Sequence, residues 1–378
     1  MKYYVIAGEP SGDLHAANLM TQLSKLESNA NFRFWGGDLM KNVGGTMVKH
    51  YRDTAFMGVF EVVANIKTIL NNFSICEKDI VQYKPDILIL VDYPGFNLRI
   101  AKFAHKKGIK VFYYISPKLW AWNTKRVKKV KKYVDEMFTI LPFETKFYQK
   151  YKVRVNYVGN PIMDSIQNRK HKGEDFVSFV KRNSLDDRPV VGILAGSRKQ
   201  ELERILPDML KMIPEFPGYQ FIIAGAPSFT LDDYKTYIKD YDVKVLFNET
   251  HQILQQSRAA MVTSGTATLE AGLLNCPQVV CYKMWGSWFT NFMAKKIIMK
   301  VPFISLVNLI LEREAVKELF QGTFSLEALK KELGLLLEND NHRNKLFSDY
   351  KELRELTGDA GPSKRAAELM FNKLTIND

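Results

Sequence analysis

Four short segments combine residue types that bind or move charge, and each directly follows an apolar run of strand length. The first is Gly8-Glu9-Pro10-Ser11-Gly12-Asp13, after Tyr3–Ala7. Its glycines permit a tight turn and close backbone approach. Ser11 or Asp13 is suited to cap the helix that Leu14, Ala17, Leu19, Met20 and Leu23 trace. A capped strand-to-helix turn is the plainer reading. The second is LVDYPGFN, residues 90 to 97, where Asp92 ends a run of strand residues. A carboxylate at a strand end is well placed to act as a general base, and burial would raise its pKa into a useful range. An N-cap or loop aspartate is the competing reading. The third, ILAGSRKQE at 193 to 201, offers Gly196 and Ser197 before a helix, with Arg198 beside them. Backbone N–H groups at a helix start plus a guanidinium make an anion site, although the Gly-Lys-Ser/Thr of a P-loop is missing. The fourth, TSGTATLEAG at 263 to 272, places Ser264, Gly265 and Thr266 at another helix start, with Glu270 about one turn further on. Glu270 suits ribose hydroxyls, or is a plain surface glutamate. Two phosphate-type loops in the second half imply a nucleoside diphosphate there, leaving the first half for another substrate.

These segments need a scaffold, and the apolar pattern supplies one. Strands are expected at Tyr3–Ala7, Phe32–Trp35, Ile87–Val91, Val111–Ile115, Glu136–Ile140 and Val155–Val158. A second set is expected at Val190–Leu194, Phe221–Ala224, Val243–Phe247, Ala259–Val262 and Gln278–Tyr282. The runs are nearly all apolar and alternate with amphipathic helices, as in parallel sheets covered on both faces. The polar stretch QNRKHKGE at 167–174 separates the sets. The expectation is α/β: two Rossmann-like, doubly wound parallel-sheet domains facing a cleft, 1–168 and 174–350. Helices at 351–378 are expected to cross back onto the first domain.

Composition narrows the partners. The chain has 378 residues and a formal net charge of +13, which points to something anionic. Three cysteines, Cys76, Cys276 and Cys281, without CxxC spacing argue against a disulfide framework or zinc site and fit a reducing cytosol. The chain opens on a strand, not a signal peptide. Its longest apolar run falls short of the roughly 20 residues a spanning helix needs. KRVKKVKK at 125–132 is a basic helix face with Val127, Val130 and Val134 behind it: solvated by default, or suited to a membrane or phosphates. Trp285, Trp288, Phe289 and Phe292, followed by Lys295 and Lys296, fit core packing or an interfacial helix. Phe56, Met57 and Phe60 either line an acyl-chain groove or pack. No nucleic-acid motif accompanies the charge.

In order, AGEPSGDLHAA, FMGVFEVV, PDILILVDYPGFN, YYISPKLWAWNTKRVKKV, LPFETKFYQKY, VGNPIMD, LAGSRKQE and SGTATLEAGLLNCPQVVCYK resemble the blocks of the lipid-A-disaccharide synthase family, from residue 5 to about 371. The resemblance implies a GT-B glycosyltransferase that inverts the anomeric carbon and needs no metal or cofactor. It would join UDP-2,3-diacylglucosamine to 2,3-diacylglucosamine 1-phosphate, giving a β-1,6-linked disaccharide 1-phosphate and UDP. Its place would be peripheral, on the cytoplasmic face of the inner membrane of Gram-negative bacteria, with a homodimer possible. By position, Asp92 matches the proposed base, Arg198 the arginine on the UDP phosphates, and Glu270 the ribose-holding position. Gly196, Ser197, Glu201, Ser264, Gly265, Thr266 and Asn308 fall on the donor side. Glu9, Ser11 and Gly12, with Met57 and Phe60, fall on the acceptor side. Ala195 stands where the family often has Pro, Leu306-Val307-Asn308 where Leu-Pro-Asn is usual, and Gly95 where a second acidic residue often follows the base. Two other classes remain open: a UDP-sugar epimerase of the same architecture, and a non-catalytic UDP-sugar or lipid-binding protein.

Overall fold

The computed structural model describes residues 1–53, 66–122, 124–283 and 302–375. Phe56, Met57, Phe60 and the Trp285–Lys296 aromatic and lysine cluster lie outside them. The chain forms two compact units, 1–164 with 359–378, and 165–358.

The first unit holds a seven-stranded sheet: β1 Lys2–Ala7, β2 Asn31–Gly36, β3 Thr46–His50, β4 Ile87–Val91, β5 Lys110–Tyr114, β6 Glu136–Thr139 and β7 Asn156–Tyr157. All pairings are parallel, in the order β3-β2-β1-β4-β5-β6-β7. Its described helices are α1 Pro10–Leu26, α2 Asp38–Val43, α3 Ile66–Tyr83, α4 Pro94–Lys106, α5 Leu119–Trp122, α6 Val127–Tyr133 and α7 Pro142–Gln149, with α8 Ile162–Gln167 straddling the unit boundary. Strand alternation divides the core. Tyr3, Val5, Ile87, Ile89 and Val91 face α1, while Tyr4, Ile6, Leu88 and Leu90 face the layer made by α3, α4 and α6. Burial on both faces is why these strands read as unbroken apolar runs.

The second unit repeats the plan with β8 Val190–Leu194, β9 Gln220–Gly225, β10 Val243–Phe247, β11 Ser257–Thr263, β12 Gln278–Tyr282 and β13 Lys317–Phe320, all parallel, ordered β10-β9-β8-β11-β12-β13. Its described helices are α9 Phe176–Arg182, α10 Lys199–Leu210, α11 Leu231–Ile238, α12 Thr250–Gln256, α13 Thr266–Leu273, α14 Leu306–Leu311, α15 Leu326–Glu338 and α16 Asp340–Thr357. Among the described helices only α17, Pro362–Thr375, returns to the first unit, where Ala366, Ala367 and Met370 bury against Ala16, Ala17 and Met20 of α1.

The structure differs from the expected pattern at two points. The return begins at residue 359, not 351: α16 stays in the second unit, with Tyr350 and Leu353 fully buried and the Tyr350 hydroxyl donating to the Cys276 carbonyl at 3.2 Å. Strands β3 and β13 have no counterpart in the apolar pattern. Both are edge strands carrying partly polar sequences, TMVKH and KELF, so neither reads as an apolar run.

Candidate functional site

Strand order places all four chemistry-bearing segments. In each sheet the order reverses once, between β1 and β4 in the first unit and between β8 and β11 in the second. Ligands of open parallel sheets bind at the carboxyl ends of strands, at such reversals. The loops after β1, β4, β8 and β11 are the four nominated from sequence.

In the first unit, Ala7 pairs with Val91 in register, so Gly8 and Glu9 leave the sheet beside Asp92 and Tyr93. Fit is tight there: a Cβ on Gly8 would lie 2.3 Å from the Tyr93 ring. Glu9 is the N-cap residue of α1 but its side chain makes no cap bond, and Ser11 is exposed. Gly12 is buried under Ala7, where an added Cβ would sit 3.3 Å from the Ala7 Cβ. Asp13 caps another helix: its carboxylate accepts from the Gly37, Leu39 and Met40 N–H groups at 2.7, 3.1 and 3.2 Å, holding the start of α2. Neither Ser11 nor Asp13 caps α1.

Asp92 and Tyr93 both adopt left-handed backbone, φ 43° and 49°. Strand β4 must turn into α4 at Pro94 within two residues. The Asp92 carboxyl is pushed up to about 6 by burial first and by the Glu9 charge second, against Lys118 and a hydrogen bond from the Tyr93 N–H. A group ionising there is deprotonated at neutral pH yet basic enough to take a proton.

In the second unit, Gly196 has φ 101°, and a Cβ there would meet the Glu201 carboxylate at 2.3 Å. Glu201 turns back to accept from the Ser197 and Arg198 N–H groups at 3.1 and 3.3 Å. Those two donors, expected on a phosphate, are therefore spent on the helix's own third residue in this structure. The Arg198 side chain is 67% exposed and 3.7 Å from Glu201. At the other helix start, Gly265 and Thr266 are exposed and, among the described residues, no side chain caps α13, which leaves that start suited to an anion. The Ser264 hydroxyl is committed to the Ile304 carbonyl at 2.8 Å. Glu270 is half-buried and pairs with His251 of α12 at 3.2 Å, a partner that nothing in the sequence announces.

Asn308, expected on the donor side, is engaged within its own loop in this structure. It is fully buried in α14, and its amide is consumed internally. It donates to the Val316 carbonyl and the Glu318 carboxylate, both at 2.8 Å, and accepts from the Ala315 and Val316 N–H groups at 2.8 and 2.9 Å. Glu318 in turn accepts from the Ile304 and Ser305 N–H groups, both at 2.9 Å. Asn308 and Glu318 build the loop that receives Ser264; Asn308 has no polar atom left for a ligand.

Two parallel-sheet α/β units with polar and charged loops at both strand-order reversals define the GT-B architecture. Solved structures share it over the full length: a UDP-GlcNAc 2-epimerase from Neisseria meningitidis bound to UDP-GlcNAc (TM-score 0.67, 13% identity, 100% of both chains) and a calicheamicin glycosyltransferase (TM-score 0.59, 14% identity, 98% of both chains). At that identity the likeness concerns the fold alone.

A family model described as lipid-A-disaccharide synthetase matches residues 3–370. Lipid-A-disaccharide synthases of Coxiella burnetii (strain Dugway 5J108-111) and Geobacter metallireducens are each 35% identical, over 97% of both chains and over 98% of this chain and 96% of the relative. That of Myxococcus xanthus is also 35% identical, over 98% of this chain and 97% of the relative. The chain belongs to the lipid-A-disaccharide synthase family, and it is a glycosyltransferase. Among the described residues no helix is long and apolar enough to cross a membrane.

Proposed function

We propose that the chain transfers 2,3-diacylglucosamine from its UDP conjugate to the 6-hydroxyl of 2,3-diacylglucosamine 1-phosphate, with Asp92 as the base. The observation that carries this reading is the family match over residues 3–370; the base assignment rests on a carboxyl at the β1/β4 reversal that burial pushes up to about 6. As the acceptor hydroxyl attacks C1 of the donor sugar, its proton passes to Asp92 and the C1–O bond to UDP breaks. A single displacement of this kind inverts the anomeric carbon. Arg198 and the start of α13 at Gly265 and Thr266 meet the charge that develops on UDP. Glu270, oriented by His251, takes the ribose hydroxyls. Glu201 shapes the Gly196–Arg198 turn, with no direct part in binding phosphate.

The acceptor and product are lipids, and the reading includes peripheral contact with an anionic inner membrane. Support comes from charge: residues 93–134 contain twelve Lys and Arg and no Asp or Glu. Helices α4 and α6 carry most of them and pack on each other, with Lys102, Lys106, Lys128, Lys129 and Lys132 exposed.

The deciding experiment supplies both substrates in detergent to the purified chain and follows UDP and glycolipid by mass. Disaccharide 1-phosphate formed in step with UDP is expected. Asp92→Asn should lower turnover by about 10²–10⁴-fold while UDP binding persists. UDP released without disaccharide would instead mark an epimerase or hydrolase, and binding without turnover a carrier.

A further inference from the structure

Asp92 occupies left-handed backbone, which an aspartate tolerates better than most L-residues, and its bulky neighbour Tyr93 does the same, so two such residues stand in succession. Such strain persists only where the surroundings over-determine it. Three hydrogen bonds do so here. The Asp92 N–H donates to the Tyr114 carbonyl at 3.2 Å. Its carbonyl accepts twice, from the Tyr113 hydroxyl at 2.5 Å and from the Asn97 amide nitrogen at 2.7 Å. Asn97 also donates to the Val91 carbonyl at 3.2 Å. Both donors are completely buried. Tyr113 comes from β5, the strand beside β4, and Asn97 from the first turn of α4. The peptide carrying the candidate base is thus clamped from its own helix and from the adjacent strand. A carbonyl that accepts two hydrogen bonds cannot rotate back toward extended backbone without breaking both and leaving the buried Tyr113 hydroxyl without its acceptor.

We propose that Tyr113 and Asn97 are positioning residues for the glycosyl transfer, fixing the left-handed Asp92 peptide and thereby the direction of its carboxylate. The inference rests on the reading of Asp92 as base. Neither residue touches substrate in this account; both act through Asp92. Burial and the nearby Asp92 charge hold the Tyr113 phenol far above its ordinary range, so it remains a donor across the working pH.

Tyr113→Phe removes one donor and keeps the ring in the core. Asn97→Ser is the second variant. With the full chain and detergent-dispersed substrates, each should lower kcat by roughly tenfold, the upper range for one lost hydrogen bond, with donor KM unchanged. The acid limb of the pH–rate profile should move as the carboxyl is re-aimed. In an Asp92→Asn background, Tyr113→Phe should cause no further loss, because its effect passes through that carboxylate. Wild-type kcat and pH profile in both single variants would overturn the inference. An equal loss in the Asp92→Asn background, with thermal stability falling in parallel, would also overturn it by marking a general packing role. If Asp92→Asn alone keeps wild-type turnover, the base assignment has failed, an outcome distinct from either.

Discussion

In the folded chain Asp92 ionises near pH 6 because burial and the Glu9 charge oppose its negative form. That has a cost in stability whose sign can be worked out. Below the unfolded carboxyl's ordinary value, both states are protonated and Asp92 is neutral in the balance. As pH rises past it, the unfolded chain ionises first, and the folded chain is penalised until pH passes about 6. Above that the penalty is constant, at most about 3 kcal/mol. Asp92→Asn should therefore raise the melting temperature at pH 7–8 and leave it unchanged near pH 3. A melting temperature that drops at pH 8 would show that the carboxylate is a structural anchor. Gain of stability together with loss of turnover is the expected signature of a group held for chemistry. Glu201 and Asn308 show the reverse case: ligand-type side chains whose bonds are spent on their own loops.

Among the elements, short-range carboxylate caps decide how the turns are built. Asp13 stands in the first turn of α1 but serves the start of α2, because Gly36 and Gly37 let that loop approach closely; a Cβ on Gly37 would lie 2.6 Å from the Asp13 carboxylate. Asp13→Ala would orphan three buried or partly buried N–H groups. It should cost about 2–3 kcal/mol, visible as a lowered denaturation midpoint. Asp13→Asn, which keeps an acceptor oxygen, should cost less. A midpoint unchanged by Asp13→Ala would contradict this cap. Elements buried on both faces were legible as apolar runs: Ile87–Val91, Val190–Leu194 and Gln278–Tyr282 begin and end where expected, and so does the half-buried edge strand Val243–Phe247, whose VKVLF is mostly apolar. The edge strands β3 and β13 were not, since an edge strand needs only one neighbour and tolerates polar residues.

For the molecule as a whole, the proposed membrane contact turns on electrostatics. Lysines near an anionic leaflet contribute on the order of 1 kcal/mol each, screened by salt. Changing Lys102, Lys106, Lys128, Lys129 and Lys132 to Gln should release the full chain from vesicles containing phosphatidylglycerol. Turnover on detergent-dispersed substrates should stay at the wild-type level. Equal sedimentation with pure phosphatidylcholine vesicles would place the contact in apolar segments instead.

The nominated loops, the alternation of strand and helix, and the family were readable from residue order, because each depends on local spacing: an apolar run, a glycine turn, a carboxylate at its end. Tertiary structure alone decided which polar side chains remain free. Strand order brought Glu9 beside Asp92 from 83 positions away. Neighbouring elements supplied Tyr113 to the Asp92 carbonyl and His251 to Glu270. Asn308 and the Ser264 hydroxyl were consumed by groups that only folding places within reach. A hydrogen bond is settled by distance in space, and spacing along the chain fixes that distance only within a single turn.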